Sequence, residues 1–321
     1  MIETFGDEEH GSKFARRLGL IGATNIGRGA MLGGGIYVIS GVAAGMIGPA
    51  LIAAYLVTGL LTVFTAINYA ELACSIPKQG GGYTFAHDTF GGFPAFLTGW
   101  YLLIGNLVAC GLYALAVAHT LAVFIPGATQ TTVGQIAVVI IFFTFAVNVI
   151  SIRGVSGVLG VLNVFQSLVL FSFVFLGLFF IEPANLEPFV RPGSDFINFM
   201  ETVSFIYISF VGFELITTAS EEIKEPAKNI PRAIMLTLLI ATAVYMAAAL
   251  VIVGVVHYSQ VAHSFTPIAD VYGVMFGLPG YYFALAGMAA SNYAALNATF
   301  LATARVAYSM GRDRYLPAIL E

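Results

Sequence analysis

An all-α bundle spanning a membrane is the fold class this sequence predicts, and three observations carry it. Of 321 residues, 59% are hydrophobic and 9% charged, where a water-soluble domain holds about 25% charged residues. The mean hydropathy is +0.90. The apolar residues gather into runs long enough to cross a bilayer as helix, which takes about 20 residues. Eight such runs lie near 18–44, 48–73, 93–124, 132–151, 156–181, 197–220, 233–256 and 276–308. Finally, the basic residues sit at alternate ends of those runs.

Residues 1–17 are polar, with Glu3, Asp7, Glu8 and Glu9 followed by Lys13, Arg16 and Arg17, and read as a tail. The first apolar run is too long and too continuous with later runs for a cleaved signal peptide, so it stays as helix 1. It is interrupted by Gly33-Gly34-Gly35. The second run ends in NYAEL, with Glu71 at its inner end. Between runs 2 and 3 the segment CSIPKQGGGYTFAHDTFGG carries Pro77 and Gly80-Gly81-Gly82, which exclude one continuous helix there. Its mixture of aromatic and polar residues suits a segment that partly re-enters the membrane face. Runs 3 and 8 are long, as tilted helices are. The fifth has no basic residue, and its Asn163 and Gln166 are polar but cannot titrate. A loop at 182–196 with three prolines precedes run 6, which Gly212 breaks just before Phe213 and Glu214.

Lys13, Arg16, Arg17, Lys78, Arg153, Lys224, Lys228, Arg232, Arg305, Arg312 and Arg314 all fall on one side of the bilayer. The other side holds Arg191 with Glu182, Glu187, Asp195 and Asp270. Cytoplasmic loops accumulate Lys and Arg, so both termini are expected in the cytoplasm, with an even number of crossings of the cell's inner (plasma) membrane. Two isolated cysteines, Cys74 and Cys110, have neither zinc-site nor disulfide spacing. No cofactor, metal or nucleic acid is expected; the lipid bilayer and a small molecule are.

Residues 18–181 form one unit of five helices opening on a broken helix, and 197–321 begin a second with another break near Gly212. Five crossings separate the two openings, so they face opposite ways, as in an inverted-topology repeat. The second unit has three spans of an expected five. An interruption at mid-membrane depth survives only where it lines a cavity or is covered by protein, and paired broken helices point to the binding site of a secondary transporter. A free amino acid suits such a site. Its carboxylate and ammonium must leave water together, and burying either unpaired costs several kcal/mol (about 2–7). Freed N–H groups at a half-helix N-terminus hold an anion, a role assigned to Gly33, Gly34 and Gly35, where glycine lets backbone approach a ligand. The same glycines also fit helix packing, since Gly29-x-x-x-Gly33 is a close-approach spacing. Glu214 at the second break is ionisable at depth and marks a functional position. It reads as a cap on freed amides that holds the unwound segment, with proton coupling as the other reading.

Five stretches then match one family in order: GAMLGGGIYVISG (29–41), GPALIAAYLVTGLLTVFTAINYAELACSIPKQGGGY (48–83), GGFPAFLTGWYLL (91–103), FVGFELITTASEEIKEPAKNIPRAI (210–234) and LATARVAYSMGRDRYLP (301–317). The chain resembles the amino acid–polyamine–organocation transporters, especially their cationic amino acid transporter-like branch. The resemblance implies a LeuT-type inverted-repeat bundle of ten core helices, here truncated to eight. It implies that carbonyls near Ala30 and Met31, and near Phe210 and Val211 beside Gly212, take the substrate ammonium. It places a gate at Ile208, with Tyr207 or Phe210 as substitutes, and gives Glu71 a role in tying helices together. Relatives with a lysine in helix 5 use it in place of sodium; lacking it, this chain would couple to Na⁺ through Ser291 and Asn292, to H⁺, or to no ion. Run 3 has no acid after its Gly-Trp pair, which favours neutral over cationic substrates.

The function expected is alternating-access amino acid transport, not catalysis. The alternatives are a shortened or split permease that needs a C-terminal companion fragment or a homo-oligomer, or is inactive, and, ranked below it, an ion channel.

Overall fold

The computed structural model describes residues 18–317 except Gly34, Pro77, Gln79 and Ser151, with backbone alone at 150 and 152–158. The expected tail 1–17 therefore lies outside the described residues. Helix dominates because backbone N–H and C=O groups have no water to bond in lipid and must pair within their own segment. The chain runs through α1 (Leu20–Met31), a π-helical turn (Gly35–Ile39), α2 (Ser40–Ile47), α3 (Leu51–Ser75) and the short α4 (Gly82–Phe90). It continues through α5 (Gly92–Ala122), α6 (Gln130–Ile150), α7 (Ile152–Gly177) and α8 (Phe196–Ile206). Next come α9 (Leu215–Thr218), α10 (Pro226–Val255), α11 (Tyr258–Val261) and α12 (Pro267–Arg312).

Seven stretches among the described residues are long and apolar enough to cross a membrane, against eight read from the sequence. The difference lies at the start: runs 18–44 and 48–73 join as Leu20–Ser75 because only Gly48–Ala50 separates α2 from α3. Gly48 makes that corner at φ 70 and ψ −147, a left-handed conformation that costs a Cβ-bearing residue energy. The last stretch starts at Pro267 instead of 276, and its helix breaks at Gly277, two residues before Pro279. Between α3 and α5, α4 begins at Gly82, and its Tyr83 is fully buried and donates to Asp313 Oδ2 at 2.9 Å.

Two long pairings organise the bundle, α10 along α3 and α5 along α12, with α1 against α10. Small residues permit the close approaches. A Cβ on Gly59 would meet Thr242 Oγ1 at 2.5 Å and Cγ2 at 2.6 Å, and one on Gly27 would meet Ile216 Cδ1 at 2.7 Å. Overpacking of this kind costs roughly 1–3 kcal/mol. Gly59→Leu is therefore expected to lower the unfolding temperature in detergent by about 2–10 °C, read by scanning fluorimetry; an unchanged midpoint would mean α3 and α10 are not tightly apposed.

At the acidic end, the loop between α7 and α8 is fastened to both α2 and α10. Met46 C=O accepts from Ser194 Oγ at 3.2 Å, Ile47 C=O from the Arg191 N–H at 3.0 Å, and Gly45 C=O from the Arg191 guanidinium. These are carbonyls that a helix C-terminus leaves without partners of its own. Glu182 N–H and Asn185 Nδ2 both donate to Gly254 C=O, at 2.9 and 3.0 Å. At the basic end, Arg305 of α12 pairs with Glu222 at 2.9 Å, just before α10.

Candidate functional site

Two interruptions meet in the middle of the bundle. α1 stops at Met31, and helical geometry resumes only in the π-turn at Gly35. α8 stops at Ile206, passes into a 3-10 turn at Tyr207–Phe210 and then unwinds before α9. A Cβ on Gly35 would lie 2.6 Å from both Cβ and Oγ of Ser209, and 2.7 Å from its Cα. Gly212, at φ 131, would set a Cβ 3.0 Å from Ala30 Cβ and 3.1 Å from the Met31 N. The glycines let the two breaks touch.

Four of the freed backbone groups have partners within the protein. Gly212 N–H donates to Glu214 Oε2 at 2.8 Å. Leu32 C=O accepts from Ser291 Oγ of α12 at 2.8 Å. The hydroxyl of Tyr245, on α10, faces both Met31 C=O and Ser209 C=O, the second at 2.8 Å. Its ring packs against Tyr55 and Phe210 at centroid distances of 5.4 and 5.1 Å.

Beside the crossing lies a cavity of about 150 Å³, between the π-turn, the α8–α9 break, α5 and α12. Gly35, Ile208, Val211 and Asn292 are the expected residues that line it, and Val38, Leu112 and Tyr113 share its wall. The wall is almost wholly apolar. Its polar residues are Tyr113 and the fully buried Asn292, whose Nδ2 donates to Met288 C=O at 2.8 Å while its Oδ1 has no partner. A second cavity, of about 280 Å³, opens toward the basic end past Asn25, Gly29, Asn163, Thr218 and Arg305. Among the described residues, no group of His, Cys, Asp and Glu could hold a metal ion.

The other expected positions fall elsewhere. Gly34 lies outside the described residues. Gly33 packs on α12, where a Cβ would meet that of Ala295 at 2.7 Å, so packing accounts for its lack of a side chain. The Met31 carbonyl is engaged by Tyr245, and Ala30 is buried under Gly212. Phe210 is fully buried in the tyrosine cluster, and the Tyr207 hydroxyl reaches Thr65 Oγ1 of α3 at 3.3 Å, so of the three gate candidates only Ile208 borders the cavity. Ser291 is spent on Leu32, whereas Asn292 faces the cavity. Glu71 is exposed at the basic end of α3, and no hydrogen bond of its side chain to a described residue is seen. The sequence does not single out Tyr113, one of several aromatic residues in its run, and Tyr245 shows there only as the lone aromatic residue of 233–256.

A model of the amino acid permease family matches residues 18–321. The chain is 29% identical to a branched-chain amino acid permease of Bacillus subtilis, over 77% of this chain and 56% of that protein. It is 29% identical to a methylthioribose transporter of the same bacterium, over 81% of this chain and 59% of the relative. An uncharacterized transporter of Mycobacterium tuberculosis is 31% identical over 94% of this chain and 67% of its own length. The chain thus spans well under two thirds of the first two relatives, 56% and 59%.

Proposed function

The chain belongs to the amino acid permease family of the amino acid–polyamine–organocation superfamily, a family of multi-pass membrane transporters, and on that premise we propose that it carries neutral, apolar amino acids by alternating access. The observation that supports this most is the contact between two broken helices beside an apolar cavity. Main-chain amides and carbonyls at the breaks would take the carboxylate and ammonium without a buried counter-charge. Ile208, Val211, Leu112 and Tyr113 would enclose an aliphatic or small aromatic side chain. The absence of a carboxylate among the cavity's lining residues favours a neutral side chain over a cationic one. In the cycle, α1 to α3 with α8 to α10 would rock against α5, α6 and α12, joined by the Arg305–Glu222 pair when the basic end is closed. The basic end would face the cytoplasm of the cell's inner membrane.

Uptake of a labelled panel into liposomes, with and without sodium and pH gradients, tests this. Saturable leucine, isoleucine or valine uptake with counterflow is the expected result. Preference for arginine, or for a methylthio-sugar such as the relative in Bacillus carries, would overturn the substrate class; unsaturable ion conductance would overturn the carrier. A second reading rests on Ile208 and Val211, which stay 48% and 44% exposed at the cavity rim. On that reading the flank is covered by a C-terminal companion or a second copy, and uptake appears only when it is supplied.

A further inference from the structure

Three oxygens converge where the breaks cross: the Tyr245 hydroxyl, Met31 C=O and Ser209 C=O. The two carbonyls end the helical parts of different halves of the chain, 178 residues apart by their numbers (209 − 31), and the close contacts at Gly35 and Gly212 bring their segments together. Tyr245 adds a hydroxyl that faces both carbonyls from a third element. Its side chain is fully buried, and its ring is wedged between Tyr55 and Phe210, so the hydroxyl has little freedom to move. A phenol has one proton to donate. Set before two acceptors, it leaves the spot short of positive hydrogen, a deficit that an ammonium with three N–H donors fills.

We propose that Tyr245 is a positioning residue that holds the two carbonyls at the spacing a primary ammonium needs, and so makes the site demand an amine. This rests on the amino acid reading above and adds to it the source of selectivity for the amino group. Tyr245, Met31 and Ser209 all lie outside the cavity lining, which the adjoining Gly35, Ile208 and Val211 help to form, and Tyr245 acts through the two carbonyls.

The test compares binding of leucine with that of 4-methylpentanoate, which has the same carbon skeleton and carboxylate and lacks the amine. The chain is purified and held in lipid nanodiscs. Wild type is expected to prefer leucine strongly. Tyr245→Phe, which keeps the ring and removes one oxygen, is expected to cut that preference tenfold or more, through weaker leucine binding with 4-methylpentanoate unchanged. Tyr272→Phe removes a buried hydroxyl that bonds Ser172 and Val169 C=O and neither of the two carbonyls, and it should leave the preference intact. A purely structural role for Tyr245 would weaken both ligands alike, and that result, or a preference within twofold of wild type, overturns the proposal. If Tyr245→Phe does not fold, para-aminophenylalanine at 245 returns a donor to the same place and should keep the preference; losing it also overturns the role. Wild type that binds neither compound overturns the amino acid reading as well, and is told apart by needing no variant.

Discussion

Gly35→Leu is expected to abolish uptake while leaving membrane insertion and yield intact. The first atom of any side chain at this position would lie 2.6 Å from Cβ and Oγ of Ser209 and 2.7 Å from its Cα, closer than carbon atoms approach. Ser209 cannot rotate out of the way, since backbone as well as side chain is struck, and its carbonyl is tied to Tyr245 at 2.8 Å. The two breaks must then separate by an ångström or so. Misplacing binding groups that far costs about 100-fold where geometry carries the interaction, so initial uptake should fall by about that factor or more. Gly105→Leu is the matched control: it adds the same side chain to α5, where a Cβ meets nothing within 4 Å. Uptake by Gly35→Leu within twofold of that control would show that the crossing is not the site.

The second large effect is expected at Glu214, where charge and hydrogen bonding can be separated. Its Oε2 accepts from Gly212 N–H at 2.8 Å, across a turn that Gly212 enters at φ 131. Glu214→Ala leaves that amide without its partner. An unsatisfied buried donor costs about 1–3 kcal/mol, which corresponds to roughly a 5- to 150-fold loss at about 1.4 kcal/mol per factor of ten. Glu214→Gln keeps an acceptor oxygen in the same place and removes the charge. If the carboxylate serves as a cap, Gln should hold substrate affinity within about threefold and Ala should not. If its proton is carried through the cycle, Gln and Ala should fail together in proton-driven uptake while Gln still exchanges substrate. Binding, exchange and gradient-driven uptake on the two variants decide between them.

What could be read from sequence follows the range of the interactions involved. The apolar runs, both breaks and the Gly212–Glu214 pair are local: glycine and an acid within three positions announce an unwound turn and its cap. Orientation around the second break was not legible. Residues 207–210 wind as a 3-10 turn, which advances with three residues per turn in place of 3.6, so each side chain is rotated from where a continuous helix would point it. That is why Tyr207 meets α3 and Ile208 meets the cavity. The packing of Gly33 on Ala295 was not legible either, because the two lie 262 residues apart (295 − 33). Tyr245 is hidden for the same reason. Its importance comes from two carbonyls brought to it by folding, and carbonyls leave no signature in a sequence.

The loop fastened to α2 and α10 has a mechanical corollary. Arg191 and Ser194 grip the last turn of α2, while Glu182 and Asn185 are moored to the end of α10 at Gly254. The outer stub of the first helix is thus leashed to a long rod and has no independent tilt at that extremity. Its opposite extremity, at Gly35, abuts Ser209 instead of a loop. Any swing that opens the acidic end must therefore carry α2, the loop and the α10 tip as one lever, pivoting where the ligand would sit.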